Sequence, residues 1–250
     1  MAGHGRVRTR LLFQEDSYMK EFEATVVGVD DGKVVLDRTA FHPRPMGGLS
    51  NDTGILESGD CRLRVVDVIV ERDSVVHIVE GDCKLSPGEK VRGVLDWERR
   101  YNMMKLHTAS HILAALLYRE YGALVTGGII EPHMARDDFD LSMVKDWKTA
   151  LKWAVEETNK IIKKCIPVKI YWIPREEALK RPELVKLADR TPPKEEKLRI
   201  VEIPGVDVQA DGGPHVSNTC EIEGIEIVKM ESKGRRRKRL YYTLTNPART

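Results

Sequence analysis

Residues 21–37 read EFEATVVGVDDGKVVLD, and the reading of this stretch decides the first half of the fold. Apolar and polar residues alternate and then give way to a β-branched run, while Asp30-Asp31-Gly32 supplies the residues a tight hairpin turn demands. The same grammar recurs at Arg62 to Glu71, Ser74 to Val79 and Lys90 to Leu95, punctuated by Glu80-Gly81-Asp82 and Ser86-Pro87-Gly88. A small β-barrel or sandwich follows. One long Gly- and Pro-rich loop, TAFHPRPMGGLSNDTG at Thr39 to Gly54, interrupts it.

Beyond this β region the period changes. Trp97 to Tyr121 reads as a helix with an apolar stretch at Ile112 to Leu117 and Gly122 placed to end it. Val144 to Lys164 carries Trp147, Leu151, Ala154, Val155 and Ile161 at helical spacing, so it predicts a second helix with one buried face. Leu124 to Ile130, Asp138 to Leu141, Pro167 to Ile173, Leu198 to Ile203, Ile225 to Met230 and Leu240 to Leu244 read as strands, and Arg175 to Lys180 as a short helix. Helices on one face of a mainly antiparallel sheet make the expected class α+β. The expected division is a β-barrel-like domain over residues 1–98, its first ten residues loose, and an α+β domain over 99–250.

Composition excludes several classes. With 41 Lys+Arg against 39 Asp+Glu the net charge is only +2, so any surface for a polyanion must be local. Four scattered cysteines form no C-x-x-C pair and no disulfide scaffold, which predicts a reducing, cytoplasmic setting. No run approaches the roughly 18 apolar residues of a membrane helix. The one low-complexity element is KGRRRKR, Lys233 to Arg239, between two strands. It is a basic hairpin tip whose Arg235, Arg236, Arg237, Lys238 and Arg239 either meet RNA phosphates or are simply solvated.

The chemistry gathers in two places. His107 and His111 lie four apart on the first helix, which puts both imidazoles on one face, one turn apart. That is what a metal needs from two ligands, and also what two ordinary helix-face histidines look like. The metalloprotease form of the motif needs Glu after the first His, and position 108 is Thr. Downstream, DVQADGGPHVSNT at Asp207 to Thr219 supplies His215, with Asp211 four residues before it across two glycines. His107, His111, His215 and Asp211 together make a three-nitrogen, one-oxygen set suited to zinc; the lesser alternative is a glycine turn whose Asp211 only hydrogen-bonds local backbone.

These residues carry a resemblance. HTASHIL followed far downstream by DGGPHVSNTCEIEGIEI resembles the editing domain shared by alanyl-tRNA synthetases and the free-standing AlaX proteins. LDRTAFHPRPMGGLSNDTG is similar to that family's glycine-rich loop, and GVLDWERRYNMMKLH to its approach to the first histidine. Four ordered motifs cover roughly Glu21 to Leu244. This chain departs from the pattern at Asp211, where the family most often has Cys, and at Leu49, where it usually has Gln. The family's T-G-E-I-G run reads Thr219-Cys220-Glu221-Ile222-Glu223, and Cys220 does not align with the ligand cysteine, so it is taken as a packing or strand residue.

The resemblance implies a zinc-dependent deacylase acting in trans on tRNA(Ala) mischarged with serine, without an ATP-dependent step or a covalent intermediate. It implies substrate contacts from Gly47, Gly48, Asp52, Thr53 and Gly54 of the loop, and from Thr126, which resembles by position a family threonine assigned to the serine hydroxyl. Thr126 is also what a β-branched strand residue looks like. The rival reading is a tRNA-binding module whose metal site is structural or degenerate.

Overall fold

The computed structural model describes residues 8–44, 46–181, 184 and 195–247. Two compact units meet in the chain between Arg100 and Tyr101. Most of the expected loose N-terminus, residues 1–7, lies outside the described residues.

The first unit begins with β1 (Arg10–Leu11) and a single helical turn, α1 (Leu12–Glu15). β2 (Glu21–Asp30) and β3 (Lys33–Leu36) form the hairpin read from residues 21–37, and β4 (Arg38–Thr39) pairs with β1. Asp31 and Gly32 both take positive φ, 33° and 74°, as the tight turn requires. Next come β5 (Gly54–Ser58), β6 (Cys61–Glu71), β7 (Ser74–Glu80) and β8 (Lys90–Leu95). The strands close into a barrel in the order β2-β3-β7-β6-β5-β8. Its interior is filled by alternate side chains, among them Val26, Leu36, Leu56, Val65 and Val68, each at most 2% exposed. Closure removes the free edges that a sandwich of these strands would leave. The sequence reading missed β5, because Gly54 reads as the end of the preceding loop. The glycine is there for packing: a Cβ on it would run into the Val94 carbonyl and the Phe41 ring.

From the barrel runs α2 (Trp97–Tyr121), ended by Gly122 at φ 64°, whose amide donates to the Tyr118 carbonyl at 2.8 Å. Met103, Met104, Leu106, Ala109, Ile112, Leu113 and Leu117 are buried, so this helix is enclosed on nearly every side. The second unit adds β9 (Val125–Glu131), β10 (Met134–Phe139), α3 (Trp147–Ile162), β11 (Lys169–Pro174), α4 (Arg175–Ala178), β12 (Lys197–Ile203), β13 (Asp207–Ala210), β14 (Ile225–Ser232) and β15 (Lys238–Leu244). Asp146 caps α3, its carboxylate accepting from the Thr149 amide at 3.1 Å.

One mainly antiparallel sheet was expected in this unit, and among the described residues there are two. β14-β15-β10-β9 make a four-stranded antiparallel sheet, and β11-β12-β13 a separate three-stranded one. The whole is α+β with an N-terminal barrel.

The cysteines correct a second expectation. Cys61 joins Cys83, with Cα atoms 5.6 Å apart, and Cys165 joins Cys220, at 4.7 Å. Spacings of 22 and 55 residues hid both pairs from a search for close motifs. Cys220 therefore neither merely packs nor lies in a strand: it is a crosslink in the 3-10 turn Thr219–Ile222. Among the described residues, no helix is long and apolar enough to cross a membrane.

Candidate metal centre

α2 presents His107 and His111 on one face, and the turn after β13 brings Asp211 and His215 to meet them. One ligand atom from each of the four lies within 4.8 Å of all the others. The three histidines are at most 3% exposed. Nε2 of His107 is 3.6 Å from Asp211 Oδ2, Nε2 of His111 is 4.0 Å from the same oxygen, and Nε2 of His215 is 3.4 Å from Oδ1.

What makes the four a donor set is how the other ring nitrogens are spent. Nδ1 of His107 donates to the Pro214 carbonyl at 3.2 Å, and Nδ1 of His111 to the Asp207 carboxylate at 3.1 Å. Nδ1 of His215 faces the Thr108 hydroxyl at 3.0 Å, and that hydroxyl gives its own proton to the Met104 carbonyl at 3.0 Å. Thr108 therefore accepts. With every Nδ1 carrying a proton, every Nε2 keeps a lone pair, which is what a bound cation needs of its imidazoles.

The electrostatics separate Asp211 from His215. Burial alone would raise the Asp211 carboxyl, but the surrounding imidazoles, His107 foremost, hold it well below the usual carboxylate range. Burial, and then like charge on His107 and His111, pushes His215 well below its ordinary value, so it is neutral. Three imidazole nitrogens and one carboxylate oxygen fit zinc in number and donor type.

The turn is itself held. Asp211 Oδ1 accepts the Gly213 amide at 2.7 Å, so the local-turn reading of this carboxylate is met, and the same carboxylate also faces the three imidazoles. Buried Arg199 on β12 donates to the carbonyls of Asp211 and Gly213 at 3.0 and 2.9 Å. Sequence reasoning missed Arg199, Thr108 and Asp207 as supports, and Gln209, whose amide nitrogen lies 3.1 Å from Nε2 of His111. Asp207 and Gln209 alternate with Val208 just before Asp211, and that period of two was the available signal.

The other candidates each have their own local setting. Thr126 sits in the β-bulge where β9 shifts register against β10, and its hydroxyl donates to the Asp138 carbonyl at 3.3 Å. Gly47 and Gly48 take positive φ, 61° and 76°, at the tip of the barrel unit's loop. Asp52 is fully buried: its carboxylate accepts the His42 amide at 2.6 Å and forms an ion pair with the equally buried Arg100. The Thr53 hydroxyl reaches Asp96 at 3.3 Å. Asp52 thus anchors the glycine-rich loop, and Gly54 ends it at the barrel wall.

On the basic hairpin, Arg239 grips Asp138 through two bonds of 2.7 and 2.9 Å and is only 14% exposed. Arg236 pairs with Asp140 at 2.9 Å, and Arg237 lies 3.8 Å from Asp138. Lys238 bonds Ser232 and the Gly234 carbonyl, while Arg235 is exposed at the tip.

Comparison with known families places two models on the chain. Residues 8–99 match the model of class II (A) tRNA synthetases, and residues 198–241 match the second additional domain of threonyl- and alanyl-tRNA synthetases. The chain is 53% identical to an alanyl-tRNA editing protein AlaX-M of Saccharolobus solfataricus, over 94% of this chain and 99% of that one. It is 40% identical to an AlaX-M protein of Methanosarcina barkeri, over 95% of this chain and 100% of that one. It is also 40% identical to an alanine–tRNA ligase of Ignicoccus hospitalis, over 88% of this chain but 24% of the ligase.

Proposed function

The chain belongs to the AlaX-M family of alanyl-tRNA editing proteins, and on that premise we propose that it acts in trans to hydrolyse the ester joining serine to mischarged tRNA(Ala). The observation that carries the reading is the convergence of His107, His111, Asp211 and His215, with each Nδ1 already committed to another partner. These four residues hold zinc in this reading, in the cytoplasm where charged tRNA is used. When bound, zinc supplies Lewis acidity, polarising an ester carbonyl and making water a better nucleophile at neutral pH.

The chain's own residues do the rest. Asp211 brings a negative charge to the cation, and its bond to the Gly213 amide keeps that carboxylate aimed inward. Pro214, Asp207 and Thr108 keep the three imidazoles in one tautomer and orientation.

Selectivity runs against size. Alanine is smaller than serine, so any pocket admitting serine admits alanine, and a steric sieve cannot protect Ala-tRNA(Ala). Serine has to be recognised through its hydroxyl, by a polar group left unsatisfied when alanine binds. Thr126 takes that role in our reading. Gly47, Gly48 and Thr53 act on the substrate side, and the hairpin arginines meet tRNA phosphates.

A second reading, a tRNA-binding module with a structural metal, draws on the burial of the three histidines. The deciding experiment measures zinc content beside deacylation of Ser-tRNA(Ala). About one zinc per chain, with hydrolysis lost on chelation and restored by zinc, is expected; tight tRNA binding with no hydrolysis would instead establish the binding module.

A further inference from the structure

One face of the three-stranded sheet looks at the metal centre, and among the described residues no strand pairs with its far edge, β11. The opposite face is an ordinary core, where Ile173, Leu198 and Ile200 pack with Ala178 and Leu184. On the centre's side, register fixes two rows. Ile170 on β11 stands opposite Val201 on β12, which stands opposite Gln209 on β13. Trp172 stands opposite Arg199, whose carbonyl accepts the Asp211 amide at 3.1 Å. Directly opposed residues project to the same face.

Gln209 and Asp207 touch His111, so these rows begin at the metal centre and end at Ile170 and Trp172. Along them burial changes sharply. Val201 and Arg199 are 0% and 4% exposed, whereas Ile170 and Trp172 are 39% and 46% exposed. Edge strands are ordinarily blunted with charge, and here two large apolar side chains sit two residues apart. Two strand spacings put the Trp172 backbone roughly 10 Å from that of Asp211, about the span of one nucleoside from ester to base. Lys197 lies on the same face, opposite Pro174 and exposed, next to Trp172 on the side away from Ile170.

We propose that Trp172, flanked by Ile170, is the platform on which the 3′-terminal nucleobase of the aminoacylated tRNA stacks while its ester lies at the metal centre. The proposal rests on the editing reading for the identity of its occupant. Any nucleobase offers a π face to an exposed indole, and such stacking is sequence-tolerant. Lys197 is placed to meet the adjoining backbone phosphate.

The test combines Trp172→Ala and Trp172→Phe with two substrates, Ser-tRNA(Ala) and the same molecule with an abasic terminal ribose. Trp172→Ala should raise KM on the order of tenfold or more, and Trp172→Phe should recover most of it. Removing the base should cost the wild type a similar factor and cost Trp172→Ala nothing further. An unchanged KM in Trp172→Ala, or a full abasic penalty in that variant, overturns the proposal. Equilibrium binding of short RNAs ending in CCA or in CC-abasic is measured in parallel. If the wild type hydrolyses nothing yet prefers the CCA end, and Trp172→Ala does not, the platform stands and the editing reading fails. No preference in the wild type overturns the platform itself.

Discussion

Thr108 accepts the Nδ1 proton of His215 at 3.0 Å, so the residue directly after one candidate ligand sets the tautomer of another 107 positions away. The position that rules out a metalloprotease base is thereby occupied by a positioning residue. Thr108→Val keeps the shape and removes the acceptor. Zinc affinity, read by competition with a chelator, should fall by about 10- to 100-fold, and Thr108→Ser should restore it. Equal affinities in all three proteins would mean that the hydroxyl serves only the Met104 carbonyl and the Val216 amide, which donates to it at 3.3 Å.

Asp211 separates its two roles by substitution. Asp211→Asn can still accept the Gly213 amide and hold the turn, but it brings no charge to the centre. Zinc affinity and deacylation should both drop more than about tenfold, while Asp211→Cys, which supplies the family's thiolate donor, should retain zinc. If Asn binds zinc as tightly as Asp, the carboxylate is a turn residue alone.

Much of this was legible because the signals were local. The hairpin at Asp31-Gly32, the bounds of α2 and the i,i+4 histidines each announce themselves within a few residues. The supports of the centre were not legible, because Thr108 meets His215 and Asp207 meets His111 only through tertiary packing of α2 against β13 and its turn. The cysteine pairs failed for the same reason. So did the division into two sheets, since strand pairing in this unit depends on contacts that no window of sequence contains.

His77 gives the barrel a pH dependence with a definite sign. It is fully buried; Nδ1 donates to the Val34 carbonyl at 3.0 Å, and Nε2 takes the Thr39 hydroxyl at 2.8 Å. Burial pushes its pKa down to about 4, from 6.5. The unfolded chain therefore gains a proton near pH 6.5 that the folded one refuses, so the contribution is fully present above pH 6.5 and is lost as pH falls toward 4. The loss amounts to about 3 kcal/mol across that window. Urea unfolding at pH 7 and pH 5 should show a smaller decline for His77→Gln than for the wild type. Parallel declines would assign the acid sensitivity to other groups.

The hairpin arginines should divide into two classes. Arg239 is held by Asp138 in a largely buried pair, so Arg239→Ala strands a carboxylate and should cost roughly 2 kcal/mol or more of stability. Arg235 and Arg237 are exposed, and replacing both should leave stability alone while flattening the salt dependence of tRNA binding by about 0.7 to 0.9 per lost phosphate contact. An unchanged salt slope in the double variant would make the tip a solvated turn.

Thr126 carries the argument about serine, and its bond to the Asp138 carbonyl sharpens the test. Its hydroxyl proton is already given to the bulge at 3.3 Å, which leaves the oxygen as an acceptor for the serine hydroxyl. Thr126→Val removes the acceptor and the bulge bond together. Loss of the acceptor should slow hydrolysis of Ser-tRNA(Ala) by about 1 to 3 kcal/mol in kcat/KM, while Ala-tRNA(Ala), which never made the bond, holds or gains rate. Loss of the bulge bond alone should lower stability and slow both substrates equally. Thr126→Ser keeps both bonds and should behave as the wild type. Equal slowing by Val on both esters would make Thr126 a strand residue; unchanged discrimination would place serine recognition on another polar group.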